Sequence, residues 1–411
     1  MNFSALSTPR LDLALGARAA VATAAYGAAA AAILLTVILL RGVVSGVVLR
    51  AFLGYVLIAQ VSAGLEPGTV KAAALGPAGV DAASPWAYLA AGAVKGLLAS
   101  PVLALLWKFA DPAATAPLLA WAPAVAVAGF CATDLRVLSD LRGRHALAIG
   151  LKQGSLAGGV LVAGLVVAFR APLTWGVAAA CLGRLALIGL AVDNGLRRGD
   201  AGDLWREVRR LFGDRRWLDL AAVSLIAAAS GSTDRVFGLR YLSPVTFGGY
   251  YLVYELFSRF WLIPYVLSPI LFARRAAGGS GVAFVRGAWG LTAVAGTLFL
   301  AVTAGVILLA SALLARLIGV SFGLPVLAFA AAVVVSSFGQ LRLAELQGAG
   351  RSRRAAVAAG VGAVVSVPLF FLMVRAFGAP GLMFAWLAKA CVELAVLMAG
   401  GAGRALAPQS V

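Results

Sequence analysis

Apolar runs of about 20 residues follow one another from end to end of this 411-residue chain, beginning with "AAVATAAYGAAAAAILLTVILL" at 19–40. Each can cross a ~30 Å hydrocarbon core as a helix, which satisfies its own backbone polar groups where water is absent. Hydrophobic residues make up 62% of the chain and charged residues 12%. A water-facing surface needs about 25% charged residues, so a soluble globular domain is excluded. A transmembrane barrel would show short alternating segments instead, and none are written here. The chain reads as an all-α polytopic membrane protein.

Apolar runs between charges and Pro/Gly punctuation place spans near 19–40, 44–65, 86–107, 114–135, 146–169 and 172–192. A second set falls near 217–239, 244–270, 287–314, 323–344, 355–376 and 380–400. The first run exceeds a signal-peptide core of about 7–15 residues and is read as an uncleaved span. Lysine and arginine set the direction, because short cytoplasmic loops collect them. With the N-terminus inside, cytoplasmic segments hold 20 such residues and outer loops hold 6: Arg41, Lys108, Arg170, Arg240, Arg316 and Arg375. Both termini are therefore expected in the cytoplasm.

The formal net charge of +18 belongs to these loops beside anionic lipid, so no nucleic-acid partner is implied. The longest loop, "DNGLRRGDAGDLWREVRRLFGDRRW" at 193–217, puts Leu204, Val208, Leu211 and Phe212 on one helical face with arginines opposite. That is the pattern of a helix lying on a membrane surface. It divides the chain into bundles at 1–195 and 217–411, joined by a cytoplasmic amphipathic linker at 196–216. Cys131, Cys181 and Cys391 lie in apolar runs and read as small core residues. His145, in an Arg-rich loop, reads as solvated. No cysteine or histidine pattern calls for a metal.

The two bundles are written in the same order. "FLGYVLIAQ" at 52–60 returns as "FGGYYLVYE" at 247–255. "DLRVLSDLRGR" from Asp134 returns as "QLRLAELQGAGR" from Gln340, and "FRAP" at Phe169 returns as "FGAP" at Phe377. The offsets are 195, 206 and 208 residues. Six spans per half make the repeats parallel, related by a pseudo-twofold axis along the membrane normal. Such repeats enclose a central site that opens to either side as one half rocks on the other.

Six basic residues fall well inside spans: Arg50, Lys95, Arg184, Arg235, Arg259 and Lys389. Lys152 and Arg342 lie nearer the cytoplasmic ends. The acidic residues at comparable depth are Asp234, Glu255 and Glu393. Each buried charge costs at least ~2.5 kcal/mol at mid-bilayer, so these side chains are expected to face a cavity or a partner. Glu255 and Arg259 are spaced i,i+4, as are Lys389 and Glu393, and each couple can pair on one helix face. Adjacent Asp234 and Arg235 point apart. Arg50, Lys95 and Arg184 have no acidic residue at similar depth in their half. Arg50 can snorkel to the outer surface, whereas Lys95 and Arg184 are expected to line a water-accessible cavity.

The stretch "STDRVFGLRYLSPVTFGGYYLVYELFSRFWLIPYVLSPILFARRA" resembles the polysaccharide and lipid-linked oligosaccharide flippases of the multidrug/oligosaccharidyl-lipid/polysaccharide (MOP) exporter superfamily. The resemblance rests on Asp234, Gly238, Pro244, Gly249–Tyr250 and Pro264 or Pro269. "GLEPGTVK" and "LQGAGRSRRAA" followed by "FGAPGLMFAWL" are similar to further parts of that family. The resemblance implies two six-helix bundles in a V, as in MATE transporters, in the cytoplasmic (inner) membrane of a bacterium or archaeon. It implies movement of an undecaprenyl-diphosphate-linked glycan between leaflets, and glycan-assembly proteins as partners. The basic residues would bind the diphosphate; Asp234, Glu255 and Glu393 would couple H+ or Na+ or hold the structure together. No cofactor is implied.

Three other classes compete. A multidrug or cation antiporter of the same superfamily would use the same three carboxylates, although span 1 lacks the acidic residue such exporters often carry. A membrane glycosyltransferase or glycan polymerase needs catalytic carboxylates in a sizeable outer loop, and Asp111 is the only acidic residue in these short ones. A non-transporting scaffold is the third.

Overall fold

The computed structural model describes residues 31–40, 42–65, 68–75, 83–142, 150–195, 201–213, 216–276, 282–318 and 323–399, with positions 28, 144, 147 and 148 besides. The N-terminal part of the first span, His145, linker positions 196–200, the Lys152 and Arg316 side chains and everything after 399 lie outside the described residues.

Among the described residues there is no strand. The N-terminal half comprises α1 (Ala31–Leu40), α2 (Gly46–Gly64), the short α3 (Thr69–Ala74), α4 (Pro85–Ala110), α5 (Ala122–Leu141), α6 (Ser155–Ala168) and α7 (Leu173–Gly195). The linker helix α8 (Ala201–Gly213) follows. The C-terminal half comprises α9 (Arg216–Tyr241), α10 (Pro244–Phe257), α11 (Leu262–Ala276), α12 (Val282–Ile318), α13 (Leu324–Gly348) and α14 (Ser352–Ala399).

Among the described residues eight helices are long and apolar enough to cross a membrane, and α1 and α6 are shorter apolar helices. The 26-residue α9 has the length to span but carries Asp219, Asp234 and Arg235. The 48-residue α14 bends at Gly378 (φ 65°, ψ −139°), so its two arms supply the last two crossings. The twelve crossings read from the apolar runs are thereby accounted for.

Two local corrections have plain causes. The expected single span 244–270 is interrupted by a 3-10 turn at Ser258–Trp261. Pro264 cannot donate to the carbonyl of Phe260 and its ring crowds that turn, so the ladder tightens there. The expected span 114–135 instead runs on to Leu141, which carries Asp134 and Arg136 two turns inside α5.

"FRAP" and "FGAP" both turn the chain through a positive φ, at Arg170 as a left-handed helix cap and at Gly378 with ψ −139°, a different conformation. Arg170 has φ 62°, Gly378 has φ 65°, and each stands second in its motif before Ala-Pro. At the first bend the amide of Ala171 reaches the carbonyl of Val166 and that of Arg170 reaches Val167, closing the end of α6 as a Schellman motif.

Within the N-terminal bundle α4 packs on α5 and α6 on α7; in the other bundle α13 packs on α14 and α9 on α14. Small residues permit the closest approach: a Cβ at Gly96 would sit 2.7 Å from the Val127 Cα. The halves meet where α9 and α10 pack on α2, with α9 also on α3 and α4, and α11 on α5.

The linker helix departs from expectation. Val208 and Leu211 are buried in one cluster with Tyr88, Leu135 and Ile188, and Leu204 and Phe212 pack against it. Its apolar face therefore covers the inner ends of α4 and α5 rather than lipid. Glu207 Oε2 fixes the register by accepting from the Ser84 amide (3.0 Å) and hydroxyl (2.5 Å). Trp205, Arg206, Arg209 and Arg210 are the exposed face.

Candidate functional site

Gln60 stands in the first repeat where Glu255 stands in the second, 195 residues later, and the two side chains meet. The Gln60 Nε2 donates to Glu255 Oε1 at 2.6 Å and to the Tyr251 hydroxyl at 2.6 Å. Residues beside a twofold axis contact their own counterparts. The pair therefore marks the pseudo-twofold axis between the bundles. Glutamine was passed over in the sequence because it is uncharged; its only signal was its place in the repeat.

Around that pair the expected charges converge. Arg235 Nη1 donates to Gln60 Oε1 at 2.6 Å, and its Nη2 donates to the Gly231 carbonyl and Ser232 hydroxyl at 2.9 and 3.0 Å. Its guanidinium also lies 4.4 Å from the Tyr254 ring centre. Arg259 pairs with the Glu255 carboxylate and donates from Nε to the Glu255 carbonyl at 2.9 Å. Asp234 takes the Tyr250 hydroxyl and lies 3.8 Å from Arg235 Nε, so its main partner is the tyrosine. Lys389 is 3.1 Å from Glu393, which also accepts from Ser230 at 3.2 Å. Both i,i+4 pairs expected from spacing are thus formed.

Of these groups, Gln60, Arg235, Glu255, Arg259, Lys389 and Glu393 line a cavity of about 520 Å³ between the halves, and Asp234 does not. The cavity runs from Gln60 toward the end of the molecule that the charge bias assigns to the cytoplasm. Among the described residues five cations line it, Lys71, Arg136, Arg235, Arg259 and Lys389, against two carboxylates, Glu255 and Glu393. Aromatic wall is supplied by Tyr254, Trp261 and Trp386. Lys71 and Arg136 reach across between the halves: Lys71 Nζ donates to Gln347 Oε1 at 3.0 Å, and Arg136 lies 5.1 Å from the Tyr265 ring centre.

At the opposite end the two halves are in contact. Arg50 reaches toward that end as expected, but is met there by protein and does not line the cavity: its Nη2 donates to the carbonyls of Leu239 (2.5 Å) and Arg240 (3.2 Å) in the other half, and its Nε is 3.5 Å from Asp111. Phe109 meets Phe237 edge-on at 6.2 Å, and Arg240 lies over Phe109 at 5.8 Å.

Two expected cavity cations are elsewhere. Lys95, 6% exposed, faces Trp217 (4.5 Å) and Phe212 (5.3 Å) at the linker and interacts electrostatically with Asp134. The extension of α5 to Leu141 puts that carboxylate at the depth of Lys95, so the lysine has the acidic neighbour its span lacked. Arg184, 2% exposed, is enclosed within its own bundle and does not line the cavity. Cys131 and Cys181 are buried as expected; Cys391 is exposed on an outer helix face.

No family model matches the sequence, and no curated protein matches it. Solved structures do match along nearly the whole chain. The MATE multidrug transporter DinF-BH, solved in complex with a ligand, is 12% identical with a TM-score of 0.67, covering 96% of this chain and 95% of its own. The eukaryotic MATE transporter AtDTX14 is 16% identical with a TM-score of 0.59, over 94% and 95%. A MOP superfamily transporter from Pyrococcus furiosus, described by a reverse polarity of its binding pocket that suggests a different function, is 13% identical with a TM-score of 0.54, over 94% and 92%. The fold is that of the MATE transporters of the MOP superfamily.

Proposed function

We propose that this chain is an alternating-access transporter that carries an anionic amphiphile, in the first instance an undecaprenyl-diphosphate-linked glycan, across the cytoplasmic membrane. The carrying observation is the cavity wall, with five cations against two carboxylates in a MATE-type fold. A diphosphate leaving water needs replacement donors, and Arg235, Arg259 and Lys389 supply charged ones. The reversed pocket polarity described for the Pyrococcus furiosus relative, said to suggest a different function, supports a cargo other than the multidrug class. Glu255 and Glu393, each beside its own cation, are the groups through which H+ or Na+ coupling would run.

Multidrug antiport is the second reading. Tyr254, Trp261 and Trp386 on the wall, with Glu255 and Glu393 among them, also suit a flat organic cation, and the relative DinF-BH is described as a multidrug transporter. Proteoliposomes decide between the two. A fluorescent lipid-diphosphate-glycan should change leaflet in the presence of the protein, and uptake of ethidium, a flat organic cation, should stay at background. Arg235→Gln should lower lipid transport about tenfold, the value of one charged hydrogen bond of ~1.5 kcal/mol, whereas Lys389→Arg should keep most of it. Ethidium movement without lipid movement would replace the first reading by the second.

A further inference from the structure

Arg184 is enclosed midway along α7 with Nε and Nη2 lacking hydrogen-bond partners. Among the described residues no carboxylate pairs with it. The groups acting on it electrostatically are the Tyr55 hydroxyl and the Cys181 thiol. A methyl group at Gly159 would come within 3.2 Å of the Arg184 Cδ and 3.5 Å of the Tyr55 hydroxyl, so the arginine stem and the tyrosine tip pack against the same glycine. One ring further, the Trp107 Nε1–H is also buried without a partner, its ring 6.5 Å from that of Tyr55. The interior thus presents donors without a matching acceptor.

A buried lysine can shed its proton, but a guanidinium cannot. Its charge must be met by an acceptor, because an isolated cation in this environment is among the costliest things a fold can bury. We infer that Arg184, with the Tyr55 hydroxyl, binds a small monovalent inorganic anion, chloride by abundance, inside the N-terminal bundle. One negative charge balances one guanidinium. Gly159, Val160, Ala180 and Cys181 around it are all buried, so a diphosphate attached to a lipid has no access, and the site is separate from the transport cavity. The bound anion would fasten α2, α6 and α7 together.

The test uses the purified full chain at fixed ionic strength. Replacing gluconate by chloride should raise the thermal midpoint saturably by about 2–4 °C, and bromide should act likewise. Arg184→Gln should abolish that increment, while Arg259→Gln, in the cavity, should keep it. Crystals grown in bromide should show an anomalous peak beside the Arg184 guanidinium. The peak is read on the unaltered protein, so the proposal stays decidable if Arg184→Gln does not fold. A halide increment that survives in Arg184→Gln, the lack of any increment in the unaltered chain, or a bromide-free guanidinium solvated by water would overturn it. None of these outcomes depends on what the cavity carries.

Discussion

Single side chains decide how the two halves are joined. Gln60 offers both a donor and an acceptor, so it can bind Glu255 and Tyr251 with its nitrogen and Arg235 with its oxygen. No charged residue could satisfy all three: a glutamate would face Glu255, and a lysine would face Arg235. Gln60→Leu, of similar size, should therefore leave two buried charged groups short of a partner. Each loss of this kind costs about 1–3 kcal/mol. Thermal unfolding in detergent should register the drop, and Gln60→Glu should be no better than leucine. Unchanged stability in both would mean the contact is incidental. The sequence announced the charges at this site but not the neutral residue that organises them, since an uncharged amide inside an apolar run gives no electrostatic signal.

At the scale of elements, the two motifs turn the chain at corresponding places of the repeat with different backbone conformations. Gly378, at φ 65° and ψ −139°, occupies a region open essentially to glycine, whereas the left-handed cap at Arg170 costs an L-residue about 1–2 kcal/mol. Gly378→Ala should lower the stability of the protein by about 1 kcal/mol or more. Arg170→Gly, at the counterpart, should leave it unchanged or slightly raised. Equal losses at both positions, measured by thermal unfolding, would mean that backbone conformation is not what sets the two bends apart. The linker teaches a related lesson. Its amphipathic pattern correctly marks a helix with one buried face, but a pattern of spacing cannot say whether that face meets lipid or protein. Here the inner ends of α4 and α5 already offered an apolar surface, and Glu207 and Ser84 fixed the seat.

For the whole molecule, transport as proposed would require the end where the halves meet, opposite the cavity, to part. Gly46 and Pro244 face each other across it: a Cβ at Gly46 would lie 3.9 Å from that of Pro244, within the ~3.5–4.5 Å that a disulfide needs. In a background lacking Cys131, Cys181 and Cys391, Gly46→Cys with Pro244→Cys should cross-link on mild oxidation. Proteoliposome transport should then stop and return on reduction. Full transport by the cross-linked protein would show that this end never opens.

The apolar runs and their order determined by themselves that the chain is all-helical, crosses the membrane about twelve times and repeats its design once, because lipid permits few other solutions for such runs and a parallel repeat leaves its trace in motif order. The i,i+4 pairs Glu255–Arg259 and Lys389–Glu393 were legible for the same local reason: a helix fixes their distance. Which cations share the cavity was decided only by tertiary structure. Lys95 and Arg184 look the same in sequence as Arg235 and Arg259, yet Asp134 and the linker aromatics enclose one and its own bundle encloses the other. Depth along a span is a property of one helix, whereas the direction a side chain faces belongs to the helices packed around it.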